Sequence, residues 1–165
     1  MKTTTRLLLT ACLALPMMAG LGACKKEEAP KEEVKAALTA PTTNDENAWN
    51  AYLTDVVTRN VEGATATYVY VLPPIENPEF QGYYDRQLEK AEMDIERGVV
   101  ANTLIAFGSP NSAKSADLAV AAFAKAVPGT FKDVRVLFIG SPTDNDRVKA
   151  AVEPSGANYK FIEAK

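Results

Sequence analysis

Three Xaa-Pro dipeptides constrain the fold of this chain more than any other feature. They recur at equal intervals, as Asn77-Pro78, Ser109-Pro110 and Ser141-Pro142. Each follows a β-type run and precedes a segment with helical periodicity. Asn and Ser suit the N-cap of a helix, and Pro suits the first helical position because its missing N–H would have no partner there. The pattern therefore predicts a strand–turn–helix unit that occurs three times.

The predicted strands indicate a mostly parallel sheet. They cover residues 67–72, 103–107, 134–139 and 159–164. Strands that alternate with helices form parallel sheets with helical cover. The run 134–139 is almost wholly apolar, which is typical of a central strand, and we expect the fourth strand at an edge. We predict an α/β three-layer sandwich with a four-stranded, mostly parallel sheet. The favoured strand order is 2-1-3-4, a doubly wound arrangement, and the alternative is 1-2-3-4.

Apolar periodicity predicts four helices. They cover residues 46–60, 78–97, 110–127 and 142–152, so that one extra helix precedes the sheet. Aromatic residues at helix and strand spacing are interpreted as core rather than as a pocket lining. A run of acidic residues in the second of these helices is interpreted as a solvated face. Its members are Glu89, Glu92, Asp94 and Glu96.

Residues 1–23 have the organisation of a secretory signal. Lys2 and Arg6 precede an apolar run, and small residues precede Cys24. The stretch 21–24, Leu-Gly-Ala-Cys, resembles the lipobox of bacterial prolipoproteins. This resemblance implies that Cys24 receives a diacylglycerol and becomes the first residue of the mature protein. Cys12 also lies in a loose lipobox, but no apolar core precedes it. The alternative interpretation of the apolar run is a transmembrane anchor.

The chain is thus divided into three parts. A lipoprotein signal peptide covers residues 1–23, the lipidated cysteine with a flexible charged tether covers 24–43, and one α/β domain covers 44–165. Acyl chains such as palmitate would hold the domain at the membrane. By the same resemblance, Lys25 rather than Asp after the cysteine favours the outer membrane, with the domain facing the periplasm.

Composition excludes several classes of function. The chain has no histidine, and Cys24 is the one cysteine left after removal of the signal. Catalytic triads, Cys-His pairs, His or Cys zinc sites and CxxC redox sites are therefore excluded. With 18 basic and 21 acidic residues, the chain lacks the charge of a nucleic-acid-binding protein. The run 144–146, Asp-Asn-Asp, offers oxygen ligands, but acids in a first helical turn usually complement the helix dipole. We predict no enzyme activity, no cofactor and no metal site.

The turns after the predicted strands contain the candidate ligand-binding residues. Ligands of open parallel sheets bind beyond the carboxyl ends of the strands, at a switch in strand order, where helix N-termini present free N–H groups. The candidates are Ser109, Asn111, Ser141, Thr143 and Asp144. The alternative interpretation is that these residues only form the strand-to-helix turns.

Three functions stay open for the domain. The favoured hypothesis is non-catalytic binding or support of a partner protein in the periplasm, which predicts an exposed apolar patch. A periplasmic inhibitor or immunity-type protein would instead match an acidic face to a basic enzyme. A small-ligand-binding domain would have a pocket with converging polar groups at the strand ends.

Overall fold

Helices and strands alternate along residues 36–165, the part of the chain that this computed structural model describes. The helices are α1 (Glu46–Thr58), α2 (Phe80–Arg97), α3 (Ser112–Phe123) and α4 (Pro142–Val152). The strands are β1 (Ala66–Val71), β2 (Thr103–Gly108), β3 (Arg135–Gly140) and β4 (Asn158–Glu163). A single 3-10 turn, Glu153–Ser155, follows α4. Cys24 and the predicted signal lie outside the described residues.

The four strands form one all-parallel sheet in the order β1-β2-β3-β4. The prediction of an α/β fold is confirmed, but the favoured order 2-1-3-4 was wrong and the alternative 1-2-3-4 is correct. In this order each right-handed crossover moves one position in the same direction, which places α2, α3 and α4 on one face. The other face is covered by α1, so no crossover helix has to turn back to cover it.

The central strands supply the core on both faces of the sheet. All six residues of β2 are buried, and so are five of the six in β3. Ile105 and Phe107 of β2 face the cluster formed with α2, α3 and α4. Leu104 and Ala106 face the cluster formed with α1. The prediction of a central third strand and an edge fourth strand is confirmed.

Among residues 36–165, α1 is the one helix on the second face of the sheet. Asp45 caps it by accepting a hydrogen bond from the Ala48 amide at 2.7 Å. Its buried stripe contains Trp49, Tyr52, Leu53, Val56 and Val57. A helix is about 10 Å wide, and neighbouring strands are about 4.8 Å apart, so one helix cannot cover four strands. A groove is left on each side of α1.

The Xaa-Pro dipeptides start only one helix in the predicted way. Ser141 caps α4, and Pro142 is its first residue, as expected. Helices α2 and α3 begin two residues after their prolines. The Asn77 side chain accepts from the Glu79 amide at 2.9 Å, and the Ser109 hydroxyl accepts from the Asn111 amide at 3.0 Å. These short side-chain turns delay the helix, so that Asn111 rather than Ser109 is the cap of α3.

The segment before α1 lies against the domain. The Ala40 amide donates to the Lys165 carbonyl at 3.0 Å, next to the end of β4. The Leu38 amide donates to the Asp55 carboxylate at 3.1 Å, and the Trp49 indole donates to the Thr43 carbonyl at 2.9 Å. Part of the segment assigned to the tether is therefore in contact with α1. Within residues 36–165, no helix is long and apolar enough to cross a membrane.

Candidate functional site

The turns at the carboxyl ends of β2 and β3 are joined by Ser112, the first residue of α3. Its hydroxyl donates to Asp144 at 2.6 Å and accepts from the Ser141 amide at 2.7 Å. A Cβ atom on Gly140 would lie 2.5 Å from this hydroxyl, so the glycine permits the close approach. Ser112 was not singled out by its sequence, although a serine just inside a capped helix is a usual partner for neighbouring turns.

Asp144 is a buried carboxylate that is fully engaged by its neighbours. It is 9% exposed. Besides the Ser112 hydroxyl, it accepts from Arg147 Nε at 3.0 Å and from another guanidinium nitrogen at 2.8 Å. Arg147 also donates to Asp117 at 2.6 Å. Burial lowers the pKa of Arg147, but the hydrogen bonds that it donates to Asp117 and Asp144 outweigh burial and raise the pKa. The cation is thus held between two carboxylates.

The five candidate residues occupy two separate turns. Ser109 is buried, and Asn111 accepts from the Lys114 amide at 3.1 Å as the cap of α3. Ser141 caps α4 by accepting from the Thr143 amide at 3.4 Å, and the two hydroxyls lie 2.9 Å apart. Thus the structure brings Ser141, Thr143 and Asp144 together, and keeps Ser109 with Asn111. These are the contacts of the alternative, turn-forming interpretation, and ligand binding by these residues stays a prediction.

The acidic run at the start of α4 turns its oxygens towards protein neighbours. The side-chain nitrogen of Asn145 donates to Asp146 at 3.1 Å. The side-chain oxygen of Asn145 accepts from the Tyr159 hydroxyl at 3.0 Å. Burial raises the pKa of Tyr159, and the charge of Asp146 adds to the shift. Among residues 36–165, no group of three His, Cys, Asp or Glu side chains is placed to hold a metal ion.

Asp94 lies in a buried polar cluster, which corrects its assignment to the solvated face of α2. It is 7% exposed and accepts from the Tyr70 hydroxyl at 2.8 Å, from Lys90 at 2.5 Å and from Arg97 at 2.8 Å. Burial raises the pKa of Asp94, but hydrogen bonds from Lys90 and Tyr70, with the charges of Lys90 and Arg97, lower it overall. Burial and the Asp94 hydrogen bond raise the pKa of Tyr70. The hydrogen bond between Tyr70 and Asp94 thus connects β1 to α2.

An apolar groove runs between α1 and β1, and we call it the β1 groove. It has a volume of about 260 Å³. Its lining residues are Asn50, Leu53, Thr54, Val57, Thr58, Val69 and Val71. Val69 is 44% exposed although it lies in the middle of a strand. The groove is therefore an apolar surface next to the free edge of the sheet.

No protein-family model, no curated protein and no solved structure matches this chain. Function is therefore inferred from the contacts of its own residues.

Proposed function

We propose that this chain is a lipid-anchored protein of the bacterial envelope whose domain binds an extended segment of a partner protein along β1, without catalysis. The lipobox-like stretch at 21–24 supports an acylated Cys24 and, with Lys25, an outer-membrane position facing the periplasm. The observation that carries the binding function is an uncharged, exposed edge strand beside an apolar groove.

The backbone of β1 is available for pairing on one side. Among residues 36–165, the strand pairs with β2 and has no second neighbour in the sheet. Alternate N–H and C=O groups of an edge strand point away from the sheet, and an extended peptide adds to them as a further strand. Such pairing supplies affinity through main-chain hydrogen bonds and requires no particular side chain in the partner.

The side chains of β1 leave this edge unprotected. Its sequence is Ala-Thr-Tyr-Val-Tyr-Val, with no charge, proline or glycine. Natural proteins usually place charges or proline on free edges, because unprotected edges pair with other chains. The opposite edge follows that rule, since β4 contains Lys160 and Glu163 and the Lys165 carbonyl is bonded to Ala40. The difference between the two edges favours β1 as the functional one.

The β1 groove would supply selectivity. Successive side chains of a strand point to opposite faces, so every second side chain of an added strand would lie on the α1 face, alongside Val69 and Val71. Small apolar side chains fit a groove of about 260 Å³ lined by Leu53 and Val57. The expected partner segment therefore alternates apolar residues with residues of other kinds over about five or six positions.

Site-specific photo-crosslinking tests this function in intact cells. A photoreactive amino acid is placed at Val69, and a matched one is placed at Val100, which is 65% exposed and lies outside the sheet. We expect one protein adduct from position 69 and none from position 100. The crosslinked peptide, identified by mass spectrometry, should have the alternating apolar pattern. The adduct from position 69 should disappear when Thr54, an exposed residue that lines the groove, is replaced by Lys, and it should persist in a Val100→Lys chain.

Several outcomes contradict the proposal. Equal adducts from both positions would mean unspecific contact, and an adduct of twice the chain mass would mean that β1 pairs with another copy. An adduct from position 69 that survives Thr54→Lys would place the partner outside the β1 groove.

A further inference from the structure

A second pocket lies at the opposite end of the sheet from the candidate turns. It is formed at the amino ends of β2, β3 and β4, beside the chain that leaves α1, and has a volume of about 280 Å³. Its lining residues are Asn60, Leu104, Arg135, Val136, Leu137, Asn158, Tyr159 and Lys160. It lies beyond the carboxyl end of α1, and we call it the Arg135 pocket.

Two cations converge on this pocket because of the strand register. Arg135 of β3 pairs with Asn158 of β4, and Leu137 pairs with Lys160. Side chains two positions apart on a strand lie on the same face, so Arg135 and Lys160 are diagonal neighbours on the α1 face. Lys160 donates to the Asn60 side chain at 2.7 Å, which holds its ammonium group at the pocket rim.

Arg135 keeps hydrogen-bonding capacity for a ligand. Two of its nitrogens donate to the carbonyls of Asn60 at 2.9 Å and Glu62 at 2.8 Å. A guanidinium group carries five N–H groups in a planar fork, so these two bonds fix its orientation and leave further donors. The lysine ammonium likewise has donors beyond the one given to Asn60.

The positive charge of the pocket is not neutralised by a carboxylate. None of the described residues that line the pocket is an aspartate or a glutamate. Within residues 36–165, neither Arg135 nor Lys160 takes part in an ion pair. This stands out in a chain whose net charge is −3, and in which Arg147 is held between two carboxylates.

The floor of the pocket is apolar. Leu104 is 2% exposed and Leu137 is 1% exposed, and both belong to the cluster beneath α1. A ligand site typically combines apolar walls with a few fixed polar groups that orient the ligand. The volume is slightly below the usual range of about 300–1,000 Å³, so the pocket suits a small molecule.

We propose that the Arg135 pocket binds a small organic anion, a carboxylate or phosphate monoester with a short apolar group. The anionic group lies between Arg135 and Lys160, and the apolar group lies on Leu104 and Leu137. Guanidinium and ammonium groups form strong charge-assisted hydrogen bonds with both types of anion. This site goes beyond the proposed protein-binding function and does not depend on it, because the Arg135 pocket and the β1 groove share no lining residue.

Titration of the full mature chain, ¹⁵N-labelled and held in detergent micelles, tests the proposal by NMR. The probes are butyrate, butyl phosphate, inorganic phosphate and 1-butanol. We expect saturable amide shifts at residues 104, 135–137 and 158–160 with one or both butyl anions. Inorganic phosphate should bind more weakly because it lacks the apolar group, and 1-butanol should give no saturable shift.

Three variants identify the groups responsible. Lys160→Gln removes one charge-assisted hydrogen bond and should weaken binding about tenfold. Lys160→Glu places a carboxylate beside Arg135 and should abolish binding. The matched control is Lys125→Gln, an exposed cation after α3 on the other face of the sheet, which should bind like the parent chain. Comparison of each variant's spectrum without probe with that of the parent chain shows whether the variant is folded.

The proposal is overturned by any of three results. These are an absence of saturable shifts with both butyl anions, equal binding of 1-butanol, and equal losses of affinity in Lys160→Gln and Lys125→Gln.

Discussion

The hydroxyl of Ser112 lies 2.6 Å from the carboxylate of Asp144 and joins the first turn of α3 to the first turn of α4. The same oxygen accepts from the Ser141 amide, so it acts as donor and acceptor at once. Two strand–helix units are therefore connected by one small side chain, at the edge where a ligand was expected.

Ser112→Ala should destabilise the domain. The substitution leaves the Ser141 amide and one Asp144 oxygen without this partner, which typically costs about 1–3 kcal/mol. Equilibrium urea unfolding, followed by the fluorescence of Trp49, the single tryptophan, measures the change. Ser115→Ala on the same helix is the matched control. The Ser115 hydroxyl is buried and has no hydrogen-bond partner among the described residues, so its loss should be neutral or stabilising by up to about 1 kcal/mol. Equal destabilisation by both substitutions would contradict this account.

Gly140→Ala should also destabilise the domain. Its new methyl group would lie 2.5 Å from the Ser112 hydroxyl and 2.8 Å from a Phe138 ring carbon, both in a packed region. Overpacking of this kind costs about 1–3 kcal/mol. Gly82→Ala is the comparison, because its methyl group would meet only the end of the Arg86 side chain at 3.2 Å. In a helix, alanine is favoured over glycine by about 0.5–1 kcal/mol, so Gly82→Ala should stabilise. The prediction would be refuted if the urea midpoints of both variants moved in the same direction from that of the parent chain.

Stability should fall in acid because of Asp94. Its pKa is lowered in the folded state, so the folded chain binds fewer protons there than the unfolded chain. The resulting stabilisation is present above the unfolded pKa, about 3.9, and is lost as the pH falls through the lower folded pKa. Asp94→Asn should lose this contribution at neutral pH and should have a shallower decline in acid. Tyr70→Phe removes one hydrogen-bond donor to Asp94. Its decline of stability in acid should therefore be intermediate between those of the parent chain and of Asp94→Asn. Urea unfolding at pH values from 7 to 3 provides the test, and identical slopes for all three chains would rule out Asp94 as the cause.

Cys24→Ala should abolish lipid attachment if the lipobox resemblance is correct. Cells that are fed radiolabelled palmitate should label the parent chain and the Cys12→Ala chain, but not Cys24→Ala. The uncleaved Cys24→Ala chain should also migrate as a larger species. Labelling that is lost in Cys12→Ala but retained in Cys24→Ala would move the acylation site to the first cysteine.

Local patterns predicted the elements of this fold better than their boundaries. The bounds of α4 follow from Ser141, Pro142 and the proline at 154, and the structure has the same bounds. Helix α3 was predicted to begin at 110 and begins at Ser112, because hydrogen bonds within the turn compete with the helix. Asp94 was misassigned because it was grouped with Glu92 and Glu96, two positions away on either side. Its position beside the buried residues Ala91 and Ile95 instead turns it towards β1.

Strand order depends on long-range packing, so local sequence patterns could not predict it. Right-handed crossovers permit both the order 2-1-3-4 and the order 1-2-3-4. The choice between them depends on which face α1 covers, and α1 has no sequence signal for one face or the other. The Arg135 pocket was missed for the same reason. Arg135 and Lys160 belong to different strands and become neighbours only when β3 and β4 pair in their observed register.

The order β1-β2-β3-β4 has a consequence for how such a domain is assembled. Each strand pairs with the next one in the chain, as in solenoids, where each repeat touches only its neighbours. A unit can therefore be added to or lost from an outer position without rethreading the others. The equal spacing of the Xaa-Pro dipeptides is consistent with growth by duplication of a single β–turn–α module.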